Sequence, residues 1–240
     1  MKTAPFESYA NGYDAWFEKN PFAYESELRA VAGMLSKHGM GMEIGVGTGR
    51  FAVPLGIKIG VEPSRAMGAV ARRRGIQVIR GVAESLPVAD AAFDFALMVT
   101  TLCFLDDAEA SLQQAYRVLK EGGVLICGFI DRESRLGRSY LRRTGDSLFY
   151  REARFYSSGE VARLMESAGF TELVCAQTVF QEMHRMQAPE PTRPGHGEGL
   201  FAVLQGTRTG TGRPADSCAS RNQDSPSVLF PWAARPRVQP

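Results

Sequence analysis

The segment Glu43-Ile44-Gly45-Val46-Gly47-Thr48-Gly49 restricts this chain more than any other. It continues a short apolar run, residues 42–46, that reads as a strand. Three glycines at alternate positions let the backbone turn tightly and approach a ligand closely. A helix start near such a bend offers free N–H groups to a carboxylate or phosphate. Seventeen residues past Gly45, Glu62 stands at the end of a second apolar run, residues 57–61. A carboxylate at that register accepts both hydroxyls of a ribose. The spacing is G-x-G-x-G, not the G-x-G-x-x-G of dinucleotide binders. Glu43, two residues before the first glycine, repels a pyrophosphate and suits an ammonium or sulfonium.

Around this bend, apolar runs alternate with amphipathic stretches, the pattern of βαβ units and a mostly parallel sheet. Residues 9–35 are helical in character and rich in aromatics. After Gly49 the next helix is stunted, because Pro54 and Gly56 arrive quickly. Residues 64–74 read as a helix closed by Gly75, and 76–79 as a short strand. Phe93–Val99 reads as a strand buried on both faces. A helix over 108–119 ends at Lys120-Glu121-Gly122-Gly123, and 124–130 is the next strand. A helix over 158–168 is capped by Ser157 or Ser158, with Glu160 in its first turn and Gly169 after it. Residues 171–180 and 200–204 supply the last two of seven strands.

Composition narrows the function. Of 240 residues, 44% are hydrophobic, enough for a core, and 28 basic side chains face 26 acidic ones. Five Arg and two Asp fall in residues 207–240, leaving 23 basic and 24 acidic residues before them. A near-neutral body argues against a dedicated nucleic-acid binder. The 207–240 stretch holds five Pro and no period, and reads as a disordered tail with an apolar patch at 228–232. The domain therefore spans 1–206, with 1–38 as an N-terminal helical lid. The apolar run over 95–105 falls short of the ~20 residues a membrane span needs. The N-terminus lacks a secretory h-region. Cys103, Cys127, Cys175 and Cys218 are scattered without a C-x-x-C, which suggests reduced thiols and a cytoplasmic setting. No metal site is indicated.

The motifs in series resemble a class I S-adenosylmethionine-dependent methyltransferase of the small-molecule, type 11-like kind. The match runs through Glu43 to Arg50, Gly60-Val-Glu-Pro-Ser, Gly81-Val-Ala-Glu-Ser-Leu-Pro, the run beginning at Phe93-Asp-Phe, and Leu119-Lys-Glu-Gly-Gly-Val-Leu. The resemblance implies an α/β, Rossmann-like, seven-stranded and mostly parallel sheet with helices on both faces and the last strand antiparallel. It implies S-adenosyl-L-methionine as cofactor. Glu43, Gly45, Gly47 and Gly49 would approach its methionine part, and Glu62 its ribose. Pro63 and Met67 would lie beside the adenine, Ala83 and Glu84 at its edge, and Val99 and Thr100 where the fourth strand ends. The family often has Asn at the position of Thr100 and His near Cys103-Phe104, so the departures fall on the acceptor side.

Transfer from a sulfonium is an in-line displacement that needs alignment and water exclusion more than a catalytic triad. A base is needed only for an acceptor that is protonated at working pH. Three places supply acceptor candidates. Tyr9, Tyr13 and Trp16 or Phe17 share one helix face, as a lid over the site or as simple packing. Thr100, Thr101, Cys103, Phe104, Asp131 and Arg132 follow the fourth and fifth strands, and Asp131 either orients an acceptor or caps a helix before Ser134-Arg135-Leu136. His184 lies in the 18-residue segment 181–198, as a base or as a solvated side chain. The Arg cluster at 135, 138, 142, 143, 151 and 154 attracts an anion or forms a solvated helix face. The expected function is methyl transfer to a small organic acceptor, an amine being one candidate. A nicotinamide-dependent oxidoreductase and a non-catalytic cofactor-binding module are the competing readings.

Overall fold

Phe93–Val99 pairs in parallel with strands on both sides, so its continuous apolar run is used on both faces. The computed structural model describes residues 4–35, 39–144 and 153–210. The strands are β1 (Gly41–Ile44), β2 (Ile59–Val61), β3 (Gln77–Ile79), β4 (Phe93–Val99), β5 (Leu119–Ile130), β6 (Phe170–Thr178), β7 (Arg193–Pro194) and β8 (Phe201–Arg208). They form one sheet in the order β3-β2-β1-β4-β5-β8-β6-β7. Pairings from β3 through to β5 are parallel, and β8 runs antiparallel between β5 and β6. The chain moves outward from β1 to β3, then returns to place β4 on the other side of β1. That reversal opens a crevice at the carboxyl ends of β1 and β4, where open α/β sheets bind ligands.

The sheet pleat divides the core. Met42, Met98, Leu125 and Cys127 point into one face with Leu112 and Met165. Leu97, Val99, Ile126 and Val203 point into the other with Ala30 and Val31. Each fully buried aliphatic side chain contributes about 1.5–3 kcal/mol. Helices α1 (Ala4–Ser8), α2 (Ala10–Lys19) and α3 (Pro21–Met34) precede the sheet, and Pro21 starts α3 where its missing N–H costs nothing. Helix α4 (Arg65–Arg73) is capped by Ser64, whose Oγ accepts from Met67 N at 3.2 Å, and Gly75 follows it at φ +88. Helix α5 is Ala108–Val118, α6 is Arg135–Thr144 and α7 is Ser158–Ser167. Ser157 and Glu160 form a reciprocal capping box on α7, and Gly169 follows at φ +102.

Four details differ from the sequence expectation. Residues 50–56 form consecutive turns instead of a short helix, because Pro54 has no N–H to continue one. Residues 119–123 belong to β5: Leu119 pairs with Phe93, and Lys120 bonds the Asp94 carboxylate at 2.9 Å. The seven expected strands gain an eighth, β7, a two-residue edge on β6 from inside the segment 181–198. Strand β8 continues to Arg208, past the expected boundary at 206. Cys218, Arg151 and residues 211–240, including the 228–232 patch, lie outside the described residues. Among the described residues no helix is long and apolar enough to cross a membrane, and no cluster of metal-ligating side chains occurs.

Candidate cofactor and acceptor site

Strand β1 stops at Ile44 because the backbone then enters the left-handed region, at φ +74 for Gly45 and +54 for Gly47. A Cβ on Gly45 would meet the Thr101 side chain at 2.5 Å, so only glycine fits. Thr101 is buried, and its Oγ1 donates to Ile44 O at 3.1 Å, closing the strand end. The amides of Gly45 and Val46 both donate to Val61 O, which ties the bend to β2.

Glu62 organises the next layer. Gly47 N donates to its Oε2 at 2.8 Å and Ser64 N to its Oε1 at 2.9 Å. The side chain is 7% exposed, and burial pushes its carboxyl up to about 7 despite these two donors. Each oxygen keeps a second lone pair for an incoming hydroxyl. Gly45, Gly47, Glu62, Pro63 and Met67 line one cleft with Val99 and Thr100 of the β4 end. Thr100 sits at φ +53, a conformation rare outside glycine, held by its N–H on Gly128 O at 2.7 Å. Such local strain is typical of functional positions.

The other expected cofactor residues lie outside the lining. Glu43 is buried beneath the bend and accepts from Ala52 N–H, while its Oε2 has no partner. Burial raises its carboxyl well above the usual range. Gly49 turns the chain at φ +84 but packs toward Ile76 and Ala71, away from the cleft. Ala83 is a core side chain. Glu84 Oε1 accepts from Asp106 N at 3.0 Å, and its buried Oε2 is unpartnered.

Tyr13 of α2 lines the cleft and, with Thr100, also lines a second cavity of about 220 Å³. The two side chains are hydrogen-bonded, and burial holds the Tyr13 phenol above its usual range. Trp16, Phe17 and Phe51 form further walls of this cavity. Phe6 of α1 and Phe104 border both spaces, their rings 4.8 Å apart edge to face. Of the aromatic face expected on α2, Tyr13, Trp16 and Phe17 are therefore at the site, whereas Tyr9 is 53% exposed and outside it.

Two weaker candidates are corrected by the geometry. Asp131 is 1% exposed, accepts from Glu133 N at 3.0 Å and from Ser158 Oγ at 2.8 Å, and lines neither space. Its carboxylate fixes a turn to the start of α7. His184 sits exposed on a 3-10 turn, Met183–Arg185, and lines neither space. Cys103 and Cys127 are buried free thiols pushed up to about 12, with no reactive character. Arg135, Arg138, Arg142 and Arg154 are exposed.

Two contributors, Asp14 and Glu27, had no local sequence signal. Asp14 of α2 accepts from Thr48 Oγ1 at 2.7 Å and Arg50 Nε at 2.9 Å, and pairs with Arg74. These contacts fasten α2 to the glycine bend, and they hold the Asp14 carboxyl far below its usual range against the opposing cost of burial. Thr101 closes over Gly45. Glu27 of α3 lines the 220 Å³ cavity at 6% exposure.

S-adenosylmethionine fits this set. Among the described residues the lining of the cleft includes no basic side chain, which disfavours a pyrophosphate, and Glu62 at the β2 end suits a ribose. The orphaned oxygens of Glu43 and Glu84 match N–H donors. A crevice of this kind on this sheet defines a class of α/β enzymes that bind a cationic nucleoside. A methyltransferase-domain family model matches residues 42–127. A solved S-adenosylmethionine-dependent methyltransferase from Thermotoga maritima, described as a possible histamine N-methyltransferase, is 53% identical with a TM-score of 0.84. The likeness covers 86% of this chain and all of that one. An uncharacterised protein of Methanocaldococcus jannaschii is 43% identical over 199 residues, 83% of this chain and 96% of that protein. A Mesorhizobium loti S-adenosylmethionine-dependent methyltransferase shares the fold, at 18% identity and a TM-score of 0.58 over 76% of this chain and 98% of that one. This chain belongs to the class I S-adenosylmethionine-dependent methyltransferases.

Proposed function

We propose that the enzyme methylates a small organic amine held in the aromatic cavity beside the cofactor cleft. The observation that carries this reading is the shared wall: Tyr13 and Thr100 line both spaces, so an acceptor in one meets a methyl group presented from the other. Bound in the cleft, S-adenosylmethionine supplies an electrophilic methyl group on a positively charged sulfur. Glu62 accepts the ribose hydroxyls, Gly45 and Gly47 let the backbone approach the methionine part, and Glu43 takes its ammonium. Pro63 and Met67 border the adenine, the unpartnered Oε2 of Glu84 is left for its amino group, Ala83 stays in the core, and Gly49 shapes the bend. Val99 and Thr100 back the reacting end. Phe6, Tyr13 and Phe104 exclude water and offer ring faces to positive charge. Tyr13, held protonated, orients the acceptor as a hydrogen-bond donor rather than taking its proton. The amine class draws support from the description of the Thermotoga maritima relative.

The test is calorimetric titration with S-adenosylmethionine, then transfer of labelled methyl to a panel of small amines that includes histamine. Binding and transfer to an amine are expected. Absence of cofactor binding near millimolar concentration overturns the reading. Binding without transfer to any amine or extract component favours a non-catalytic module.

A further inference from the structure

We infer that Glu27 sets acceptor specificity, its carboxylate receiving a cationic nitrogen of the amine inside the aromatic cavity. The inference rests on the cavity being the acceptor site. Glu27 occupies the buried stripe of α3 with Ala23, Ala30 and Val31, where an aliphatic side chain would pack at no electrostatic cost. Its neighbour Ser26 is satisfied, donating to Phe22 O at 2.6 Å and accepting from Glu190 N at 2.8 Å. Among the described residues Glu27 has no hydrogen bond and no ion pair. A glutamate 94% removed from solvent, with no structural partner and its side chain on a cavity wall, is held ready for a ligand, since folding alone gains nothing from it.

The surroundings say what that ligand carries. The cavity walls around Glu27 are mainly aromatic, with Trp16, Phe17 and Phe51 among them. The Phe17 ring already receives a cation, the Arg50 guanidinium at 5.2 Å. Among the described residues, Tyr13 and Lys19 of α2 line the cavity with Glu27, and Tyr24 of α3 and Arg50 lie close by; Arg50 is paired with Asp14 and Glu18, and no ion pair joins Lys19 or Arg50 to Glu27. Burial raises the Glu27 carboxyl to about 8, so it is mostly neutral at pH 7 until a cation enters. An ammonium that binds there ionises Glu27 and sends its proton to solvent. Glu27 lines the cavity and not the cleft. The nitrogen it holds is thus set back from the methyl group, and a second atom of the acceptor, at the Tyr13–Thr100 end, is the nucleophile.

The test compares 2-phenylethylamine with its neutral isostere 2-phenylethanol, titrated into the enzyme saturated with S-adenosylhomocysteine. The amine is expected to bind at least roughly tenfold tighter. It should release about one proton at pH 7, read from heats in buffers of different ionisation enthalpy. Glu27→Gln should abolish the preference and the proton release, leave the cofactor Kd within about twofold, and be partly rescued by Glu27→Asp. Amine binding no tighter than the alcohol, absence of proton release from wild type, or an unchanged preference in Glu27→Gln each overturn the assignment. The wild-type arms stand even if the variant does not fold. Cation preference at Glu27 without methyl transfer sinks the proposed activity and leaves this site intact; transfer without the preference does the reverse.

Discussion

Glu62 does two jobs with one carboxylate. It holds the glycine bend against β2 through the Gly47 amide, and it faces the cleft with lone pairs to spare. Glu62→Ala is expected to weaken S-adenosylmethionine binding at least roughly tenfold by calorimetry, because both a ligand contact and the bend's anchor are lost. An affinity equal to wild type would place the ribose elsewhere. This residue was legible in the sequence because its distance from the glycines is set by local geometry, one bend plus one strand. Glu27 was not. Among 26 acidic residues nothing marks the one that points inward, and only the packing of α3 on the sheet gives it a cavity to face. Asp131 shows the opposite hazard: a strand-end acid has the same sequence signature whether it meets a substrate or, as here, the hydroxyl of Ser158.

At the scale of the element, α2 owes its place to Asp14. One carboxylate collects Thr48, Arg50 and Arg74, which come from the bend and from the residue closing α4. Asp14→Ala leaves two half-buried guanidinium groups without their acceptor. The loss expected in chemical denaturation is about 1–3 kcal/mol, below that of a fully buried pair because solvent screens part of it. Cofactor affinity should fall with it, since α2 carries Tyr13 into the cleft; a variant with full stability and full affinity would remove this role from Asp14. The periodicity marked a face of Tyr9, Tyr13 and Trp16 or Phe17, of which Tyr13, Trp16 and Phe17 reach the cavity and Tyr9 does not. The ion pairs that seat the helix span 36 and 60 residues of chain, and no local pattern encodes them. The expected break at residues 120–123 failed for a related reason. Two adjacent glycines read as a turn, yet pairing with β4 and the Lys120–Asp94 bond draws them into a strand.

At the scale of the whole molecule, three buried carboxyls, Glu27, Glu43 and Glu62, all favour their protonated forms. The folded state then binds more protons than the unfolded one above the ordinary glutamate range, near pH 4.5, and stability falls as pH rises. The loss continues to about 7 for Glu62 and about 8 for Glu27. Asp14, lowered instead, acts only below this window. Scanning calorimetry of the ligand-free enzyme should show Tm declining by a few degrees between pH 5.5 and roughly 8, with Glu27→Gln flattening the slope. A Tm that climbs over that interval would contradict the burial of these groups. The mostly parallel sheet and the glycine bend at its first strand were legible because alternating apolar runs and one bend leave few topologies open, whereas the strand order came from the structure. The aromatic cavity was not, since three helices from the first 34 residues build its outer wall by tertiary contact. That construction has a kinetic consequence. Tyr13 belongs to both compartments, so a reactant bound in one leans on a wall of the other. Initial-rate plots should intersect, the pattern of a ternary complex, and parallel lines would contradict it. Exit of the spent nucleoside past Tyr13 is then the step expected to limit each catalytic cycle, which a pre-steady-state burst of methylated product would reveal.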